Sequence, residues 1–379
     1  MSFRLNEKQK LFRQMVSDFA KNEVKPLAAE IDRTEEFPVG TVRKMADYGL
    51  MGIPFERKYG GAGGDTLSYI VAVNEISQYC ATTGVILSAH TSLGAGSINR
   101  YGNTQQKEKY LIPMAKGKLL AGFALTEPNA GTDASGQQTT AKKNGDHYLL
   151  NGNKIFITNG ASADVFTVFA MTDPEKGIKG ISAFIVEKDF PGFEVGKVED
   201  KLGIRASSTA ELIFQDCEVP KENLLGKEGA GFKIAMKTLD SGRIGIAAQA
   251  LGIAEGAFEE SVNYMKERKQ FGRKIAKFQG LQWMLAEMDV KIEATRELIR
   301  KAVEKKESNK PCSVEAARAK LFSAETAMEV TTKAIQIFGG YGYTKDYPVE
   351  RMFRDAKITE IYEGTSEVQK MIIASNALA

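Results

Sequence analysis

The sequence predicts an α+β protein with an N-terminal helical domain, a middle antiparallel β-domain and a C-terminal four-helix bundle. Apolar residues recur at helix spacing towards both ends of the chain, whereas short β-branched and aromatic runs separated by turn residues fill the centre. The 379 residues are enough for two or three packed units. We place the three domains at residues 1–115, 116–225 and 226–379.

The first domain begins with a predicted amphipathic helix. Apolar side chains recur at helix spacing from Leu11 to Phe19, and Asn6 and Gln9 ahead of them have the spacing of a capping box. The glycine cluster at 60–64 predicts an exposed loop between helices. It lacks the strand–turn–helix context and the Lys-Ser/Thr ending of a phosphate-binding P-loop.

The middle domain is predicted from short runs that are typical of strands. The predicted strands are Lys154–Thr158, Val165–Met171, Ile181–Glu187 and Glu211–Phe214. Asn151-Gly152 and Pro191-Gly192 are predicted turns. No long helical pattern interrupts these runs, so we expect a β-domain.

The third domain is predicted from three long helical patterns, each able to cross a domain. They are Ile244–Arg268, Phe278–Lys305 and Ser313–Phe338. Pro311 precedes the last of them, and Gly339-Gly340 ends it. These helices are expected to pack as an antiparallel bundle.

Composition and charge exclude several classes of function. The 51 basic and 48 acidic residues leave a formal net charge of +3 and are interspersed, which disfavours nucleic acid as a partner. With two histidines and three scattered cysteines, neither a metal site nor a Ser-His triad is predicted. A charged amino-terminal segment, and no run near the roughly 20 apolar residues of a membrane span, predict a cytoplasmic protein.

Two long motifs carry a resemblance to a known family. Ala124–Gly136 resembles one signature of the acyl-CoA dehydrogenases, and Gln336–Tyr343, with its continuation to Asp355, resembles their C-terminal signature. Tyr362–Thr365 falls where the catalytic segment of that family lies. The resemblance covers essentially the whole chain, and within the family it is greatest to the bacterial short-chain, butyryl-CoA type.

The resemblance implies a reaction, a cofactor and partners. The reaction is FAD-dependent α,β-dehydrogenation of a short-chain acyl-CoA, such as butyryl-CoA to crotonyl-CoA, or its reverse. Desaturation needs a base and an electron sink, and the sequence lacks the G-x-G-x-x-G fingerprint of a nicotinamide site. Electrons are expected to pass to electron-transfer flavoprotein, and the family expectation for assembly is a homotetramer.

Four other interpretations compete with a short-chain acyl-CoA dehydrogenase. A medium-chain or branched-chain acyl-CoA dehydrogenase, an acyl-CoA oxidase and a catalytically silent flavin-binding member of the fold share the resemblance. The chain lacks the long C-terminal extension of peroxisomal oxidases, which favours the flavoprotein acceptor. A helical interaction protein without cofactor would leave the β-domain unexplained. Chain length, physiological direction and participation in electron bifurcation are open.

Glu363 is the candidate catalytic base. It follows the apolar-aromatic stretch Ile358–Tyr362 and precedes a helix for which Ser366 and Gln369 have capping-box spacing. Partial desolvation there is expected to raise the pKa of the carboxyl group towards the working pH, as a general base requires. The alternative is a glutamate that only satisfies the helix dipole.

The resemblance also implies cofactor contacts in two subunits. Residues matched to the flavin cradle are Phe123, Leu125, Thr126, Phe156 and Thr158, with Thr365 and Glu367 as further cofactor contacts. Residues matched to those that reach the FAD of a neighbouring subunit are Arg268, Gln270, Phe271, Gln279, Gln336, Gly339 and Gly340. The alternatives are an ordinary core strand at 154–158 and a solvated surface arginine at Arg268.

Contacts with the CoA thioester are implied in the same way. The matched residues are Thr132, Phe232, Asp240, Arg243, Tyr362 and Gly364. The main-chain N–H of Gly364 would polarise the thioester carbonyl, as the donors of an oxyanion hole do. Asp240 and Arg243 are three residues apart and could instead form an ion pair on a helix.

Overall fold

The computed structural model describes residues 5–379, with helices at both ends and strands in the centre. This order confirms the predicted fold class. The predicted capping box is also confirmed: Asn6 Oδ1 accepts from Gln9 N–H at 2.9 Å, and Gln9 Oε1 accepts from Asn6 N–H at 3.0 Å. Two otherwise unpaired N–H groups are thereby satisfied where the first helix begins.

Within residues 5–379, eight α-helices precede the first strand, together with short 3₁₀- and π-helical segments. The α-helices are α1 (Glu7–Phe19), α2 (Ala28–Thr34), α3 (Val39–Asp47), α4 (Thr66–Ser77), α5 (Ala81–Ser88), α6 (Ala95–Tyr101), α7 (Thr104–Gln106) and α8 (Ile112–Ala115). Asp65 is the N-cap of α4, and its side chain accepts from Ser68 N–H at 2.7 Å. Nearly every side chain of α4 and α5 is buried, because these two helices form the centre of the helical layer.

Seven strands form the main sheet. They are β1 (Ala121–Ala124), β2 (Thr140–Asn144), β3 (His147–Ile157), β4 (Val165–Met171), β5 (Ile181–Glu187), β6 (Phe193–Val198) and β7 (Ala210–Pro220). Their order is β1-β4-β2-β3-β7-β6, and β5 pairs with the other edge of β4. Most pairs are antiparallel as predicted, but β1 and β2 run parallel to β4, so the sheet is mixed.

The predicted turn at Asn151-Gly152 is wrong, whereas that at Pro191-Gly192 is confirmed. β3 continues through Gly152, and its pairing with β7 shifts register between Leu150 and Gly152. A side chain at Gly152 would lie 2.7 Å from Thr139 Cα, so this glycine permits a close backbone approach at a bulge. A sequence pattern typical of a hairpin turn therefore marks an irregularity inside one long strand.

Long helices dominate the last part of the chain. They are α9 (Gly231–Glu267), α10 (Gln279–Glu307), α11 (Ser313–Phe338), α12 (Val349–Lys357) and α13 (Ser366–Leu378). A two-stranded ribbon of β8 (Lys269–Gln270) and β9 (Arg273–Lys274) joins the first two helices. α9, α10 and α11 pack against one another, and α13 packs on α11. α11 has the predicted bounds, but α9 begins well before the predicted Ile244.

Within residues 5–379, no helix combines the length and the apolar character that crossing a membrane requires.

Candidate active site

A cavity of about 760 Å³ lies where the middle sheet meets α9 and the segment before α13. Val85, Ala89 and Leu93 of the N-terminal helical layer also contribute to its wall. Twelve of the residues singled out in the sequence line it: Phe123, Leu125, Thr126, Thr132, Phe156, Thr158, Phe232, Arg243, Tyr362, Glu363, Gly364 and Thr365. The structure thus brings together residues from all three parts of the chain.

Glu363 lies in a turn between two helices with its carboxylate directed inward. Glu363 and Gly364 have φ values of 54° and 96°, so two successive residues adopt left-handed conformations. The residue is partly exposed, but its Oε2 atom is buried and has no hydrogen-bond partner in the described chain. Burial raises the pKa of Glu363 to about 8, although Lys320 and Arg243 act to lower it. The carboxyl group therefore titrates near neutral pH.

The helix after Glu363 is capped differently from the sequence prediction. Thr365, not Ser366, is the N-cap, and its hydroxyl accepts from Val368 N–H at 3.4 Å. The predicted partner Gln369 instead turns its amide towards Gly364, whose carbonyl accepts from Nε2 at 2.7 Å. The predicted capping box is therefore wrong by one residue, and Gln369 supports the turn that holds Glu363.

Gly242 on α9 faces Glu363 and was not singled out in the sequence. A Cβ atom at this position would collide with Glu363 Oε2 and lie 2.8 Å from Leu93 Cδ2. The only available signal was a glycine inside a helical pattern, which lowers helix propensity without an obvious local reason. Glycine is required here because of Glu363, which is far away in the sequence and whose carboxylate leaves no room for a side chain.

A buried lysine supports the loop that follows β1. Lys154 Nζ donates to Glu127 Oε1 at 2.8 Å, to Gln137 Oε1 at 3.1 Å and to the carbonyl of Leu125 at 3.1 Å. Burial acts to raise the pKa of Glu127, but the Lys154 ammonium holds it below its usual range. This cluster fixes the backbone at Leu125 behind the cavity wall. In the sequence, Lys154 carries no local signal of this role.

Asp240 and Arg243 form the ion pair that was the alternative to substrate contact. Arg243 Nη1 donates to Asp240 Oδ1 at 2.9 Å, and Asp240 Oδ2 accepts from Ser313 Oγ at 2.6 Å. Asp240 does not line the cavity, whereas Arg243 does. Arg243 Nε is buried without a partner in the described chain. The pair therefore places a guanidinium group with an unused donor at the cavity wall.

A second cavity of about 650 Å³ contains residues matched to a neighbouring subunit's cofactor site. Its lining includes Arg268, Gln270, Phe271, Gly339 and Gly340. The Phe271 side chain is 92% exposed, and the Arg268 guanidinium lies over the Tyr341 ring at 5.4 Å. The two cavities share no lining residue, so within one chain these residues lie outside the cavity that contains Glu363. Three further matched residues, Gln279, Gln336 and Glu367, are exposed and line neither cavity.

One rim of the first cavity is attached to the C-terminal helices. The segment 199–204, which connects β6 towards β7, lines the cavity. Ile204 N–H donates to Asp355 Oδ1 at 2.6 Å, and Arg354 Nη1 donates to the carbonyl of Leu202 at 3.1 Å. A Cβ atom at Gly203 would lie 2.7 Å from Asp355 N. The backbone of residues 199–204 is therefore in close contact with α12 along this rim.

Comparison with known families decides the identity of the fold and site. The models for the N-terminal, middle and C-terminal domains of acyl-CoA dehydrogenase match residues 6–118, 122–217 and 229–378. The chain belongs to the acyl-CoA dehydrogenase family. It is accordingly an oxidoreductase that depends on FAD.

Individual acyl-CoA dehydrogenases are similar over their whole length. The short-chain specific acyl-CoA dehydrogenase of Clostridium acetobutylicum is 68% identical over 374 residues, 99% of each chain. Butyryl-CoA dehydrogenase from Megasphaera elsdenii has a solved structure that is 53% identical with a TM-score of 0.98, covering 100% of both chains. A third similar chain comes from a structural study of the electron transferring flavoprotein of Acidaminococcus fermentans and of the mechanism of flavin-based electron bifurcation. It is 57% identical with a TM-score of 0.98, and the match covers 100% of both chains.

The first cavity of this acyl-CoA dehydrogenase fits a flavin. Phe156 has a φ of 57° and lies where the pairing of β3 with β7 shifts register, and this residue is 60% exposed and lines the cavity. The hydroxyls of Thr126 and Thr158 line the same wall and have no hydrogen-bond partner within residues 5–379. An exposed ring and unpaired hydroxyls suit a planar aromatic group with polar edges.

Proposed function

We propose that this enzyme catalyses the α,β-dehydrogenation of a short-chain acyl-CoA, butyryl-CoA to crotonyl-CoA or the reverse, with Glu363 as the base. The observation that carries the proposal is the buried Oε2 of Glu363, which has no partner in the described chain and faces a cavity of about 760 Å³. A carboxylate that forms no internal hydrogen bond keeps its lone pairs free for a substrate proton.

The proton step needs a base near its working pH and a polarised thioester. The raised pKa of Glu363, about 8, brings the group close to the range in which a general base is effective. Gly364 N–H has no acceptor within residues 5–379, and its residue lines the cavity. It is therefore free to donate to the thioester carbonyl and to stabilise the enolate-like charge. FAD, when bound, accepts the β-hydrogen as hydride.

Other cavity residues are proposed to hold the substrate and the cofactor. Phe232, Thr132 and Tyr362 would contact the acyl-CoA, and Arg243 would use its free Nε for a polar group of the same ligand. Tyr362 is held by a hydrogen bond from its hydroxyl to Gln249 Oε1. Phe123, Leu125, Thr126, Phe156, Thr158 and Thr365 would contact the FAD. The high identity to a short-chain specific relative supports the short acyl chain.

The proposal includes an electron acceptor, an assembly and a location. Electron-transfer flavoprotein is the proposed acceptor, supported by the similarity to a chain studied with such a flavoprotein. The second cavity supports a homotetramer in which Arg268, Gln270 and Phe271 contact the FAD of a neighbouring subunit. A cytoplasmic location is in keeping with the bacterial origin of the relative from Clostridium acetobutylicum.

The proposed reaction is tested by anaerobic mixing of the FAD-loaded protein with butyryl-CoA while the visible spectrum is recorded. Wild type is expected to lose its flavin absorption band, and Glu363→Gln is expected not to, because the amide cannot accept the α-proton. The matched control is Glu360→Gln, three residues earlier and outside the cavity, where the carboxylate pairs with Lys357. It should bleach as wild type does.

Each contrary result removes a defined part of the proposal. If wild type binds FAD but does not bleach with butyryl-CoA, octanoyl-CoA or a branched acyl-CoA, the dehydrogenation proposal is wrong. Bleaching with octanoyl-CoA alone would overturn only the short chain length. Bleaching of Glu363→Gln at the wild-type rate would remove Glu363 from the mechanism.

A further inference from the structure

Lys320 is a fully buried lysine at the end of the candidate active site. It lies on α11, its side chain is 0% exposed, and its Nζ donates to the carbonyl of Gly364 at 2.8 Å. Within residues 5–379 no carboxylate lies within 4.0 Å of Nζ, so the charge has no direct ion-pair partner. Burying an ammonium group costs several kcal/mol unless it is paired, so a position of this kind calls for a specific reason.

The carbonyl that Lys320 contacts belongs to the turn that carries Glu363. Gly364 O also accepts from Gln369 Nε2 at 2.7 Å, and the same amide lies 3.5 Å from the carbonyl of Glu363. Both donors are buried. Because Glu363 is a non-glycine residue with a positive φ, the turn is strained at that residue and persists only where its surroundings hold it. Two buried donors on one carbonyl supply that restraint.

The Lys320 charge also acts on the Glu363 carboxylate through space. Burial lowers the pKa of Lys320 to about 8, and Glu363 is the group that most opposes this shift. The other charged or titratable groups facing Glu363 are Arg243 on α9, Tyr69 on α4 and the neighbouring Tyr362. Lys320 lowers the pKa of Glu363 more than Arg243 does.

We propose that Lys320 is a positioning residue for Glu363, holding the strained 363–364 turn through the Gly364 carbonyl while its charge favours the ionised carboxylate. This inference rests on the proposed function of Glu363 as the base. Lys320 does not line the cavity, so it acts through Gly364 and through its field. Gln369 shares the first of these actions and not the second, because its amide is neutral.

The test compares three variants. Lys320→Met removes both the hydrogen bond and the charge, whereas Gln369→Leu removes no charge but loses the hydrogen bond to the same carbonyl and the longer one to the Glu363 carbonyl. The matched control is Thr331→Val on the same helix, a nearly isosteric change at a buried position. The Thr331 hydroxyl donates only to carbonyl groups within α11. For each FAD-loaded protein, the limiting rate of flavin bleaching by butyryl-CoA is measured as a function of pH.

Lys320→Met is expected to lower the limiting rate by about 100-fold, the order of loss that a displacement near 1 Å causes. Removing a positive charge raises the pKa of Glu363 further, and only the ionised base is active, so the midpoint of the rise in rate should move to higher pH. Gln369→Leu should lower the rate by about 10-fold with the midpoint unchanged. Thr331→Val should change neither quantity.

A wild-type rate and midpoint in Lys320→Met would overturn the proposal, whatever the result for Gln369→Leu. If Lys320→Met does not fold, Gln369→Leu alone decides the geometric part, since an unchanged rate in that variant contradicts it. A lower rate without a shift in midpoint for Lys320→Met would overturn the electrostatic part.

A second readout separates this inference from the proposed function. Amide hydrogen exchange of the segment 358–370, followed by mass spectrometry, needs no turnover. Lys320→Met should exchange faster there than wild type and Thr331→Val, because one restraint on the turn is lost. Suppose that none of the acyl-CoA substrates bleaches the wild-type flavin, but Lys320→Met still exchanges faster than wild type. The proposed function then fails, while Lys320 still holds the turn. Equal exchange in all three proteins would show that it does not.

Discussion

The carboxylate of Glu363 occupies the space that a side chain at Gly242 would fill. Gly242 lies on α9, within a buried stretch of helix that forms one wall of the cavity. Glycine in a helix interior costs roughly 1 kcal/mol relative to alanine. Here the missing side chain gives Oε2 room to lie against the helix, and Leu93 Cδ2 closes the other side at 2.8 Å from the absent Cβ.

Gly242→Ala is expected to displace Glu363 and lower the bleaching rate about 100-fold, because a shift near 1 Å misaligns the base. FAD content should be unchanged, since Gly242 does not line the cofactor wall. Stopped-flow reduction by butyryl-CoA measures the effect. The matched control is Gly280→Ala near the start of α10, where nothing lies within 4 Å of the added methyl group. A wild-type rate in Gly242→Ala would contradict the proposed position of the base.

The rate should rise with pH around the pKa of Glu363. Its folded-state pKa is raised to about 8 by burial, and the ionised form removes the proton. We therefore expect kcat/KM, which reports the free enzyme, to increase between about pH 7 and 9 and then to level off. Steady-state assays across this range measure it. A rate that is already constant below pH 6 would mean that the base is ionised far below the expected range.

Lys154→Met should destabilise the middle domain and weaken FAD binding together. Removing one partner of a buried ion pair costs about 3–5 kcal/mol, because Glu127 is left as an unpaired buried charge. The Leu125 backbone also loses its support behind the cavity. Urea unfolding and FAD fluorescence titration measure the two effects. The exposed Lys142→Met on β2 is the control and should change neither. Unchanged FAD affinity in a destabilised Lys154→Met protein would separate the cluster from the cofactor.

Inactive subunits with different defects should restore activity when mixed. If Arg268 serves the neighbouring site, a hybrid of Glu363→Gln and Arg268→Ala subunits contains one site with both native residues. Random reassembly should then give about a quarter of wild-type activity from two inactive parents, since half of the pairs are hybrid and one site in two is intact. Co-expression with two affinity tags and a bleaching assay measures this. No recovery in purified hybrids would place Arg268 outside the neighbouring site.

Most of the fold could be predicted because its signals are local. α11 was predicted with the observed bounds, since Pro311 precedes it and Gly339 ends it. The error at Asn151-Gly152 arose because a bulge and a turn use the same residue types, and only the pairing with β7 distinguishes them. The α13 cap was misplaced by one residue, which is a usual uncertainty at helix ends.

The site residues that were missed act through contacts between distant parts of the chain. Gly242 matters because of Glu363, Lys320 because of Gly364, and Lys154 because of Glu127 and Leu125. A glycine or a lysine in a helical or strand pattern carries no local signal of such a role. The family motifs already divided the cofactor residues into two sets, and the structure places members of the two sets in separate cavities. That Gln279, Gln336 and Glu367 line neither cavity became visible only in three dimensions.

The rim at 199–204 has a mechanical consequence. Its backbone is hydrogen-bonded to Asp355 and Arg354, so the sheet and the C-terminal helices cannot hinge apart at this edge without breaking the buried bond to Asp355 and the exposed bond from Arg354. The side chains of Leu202 and Ile361 line the cavity and are exposed, so they can change rotamer while the backbone at this edge stays fixed.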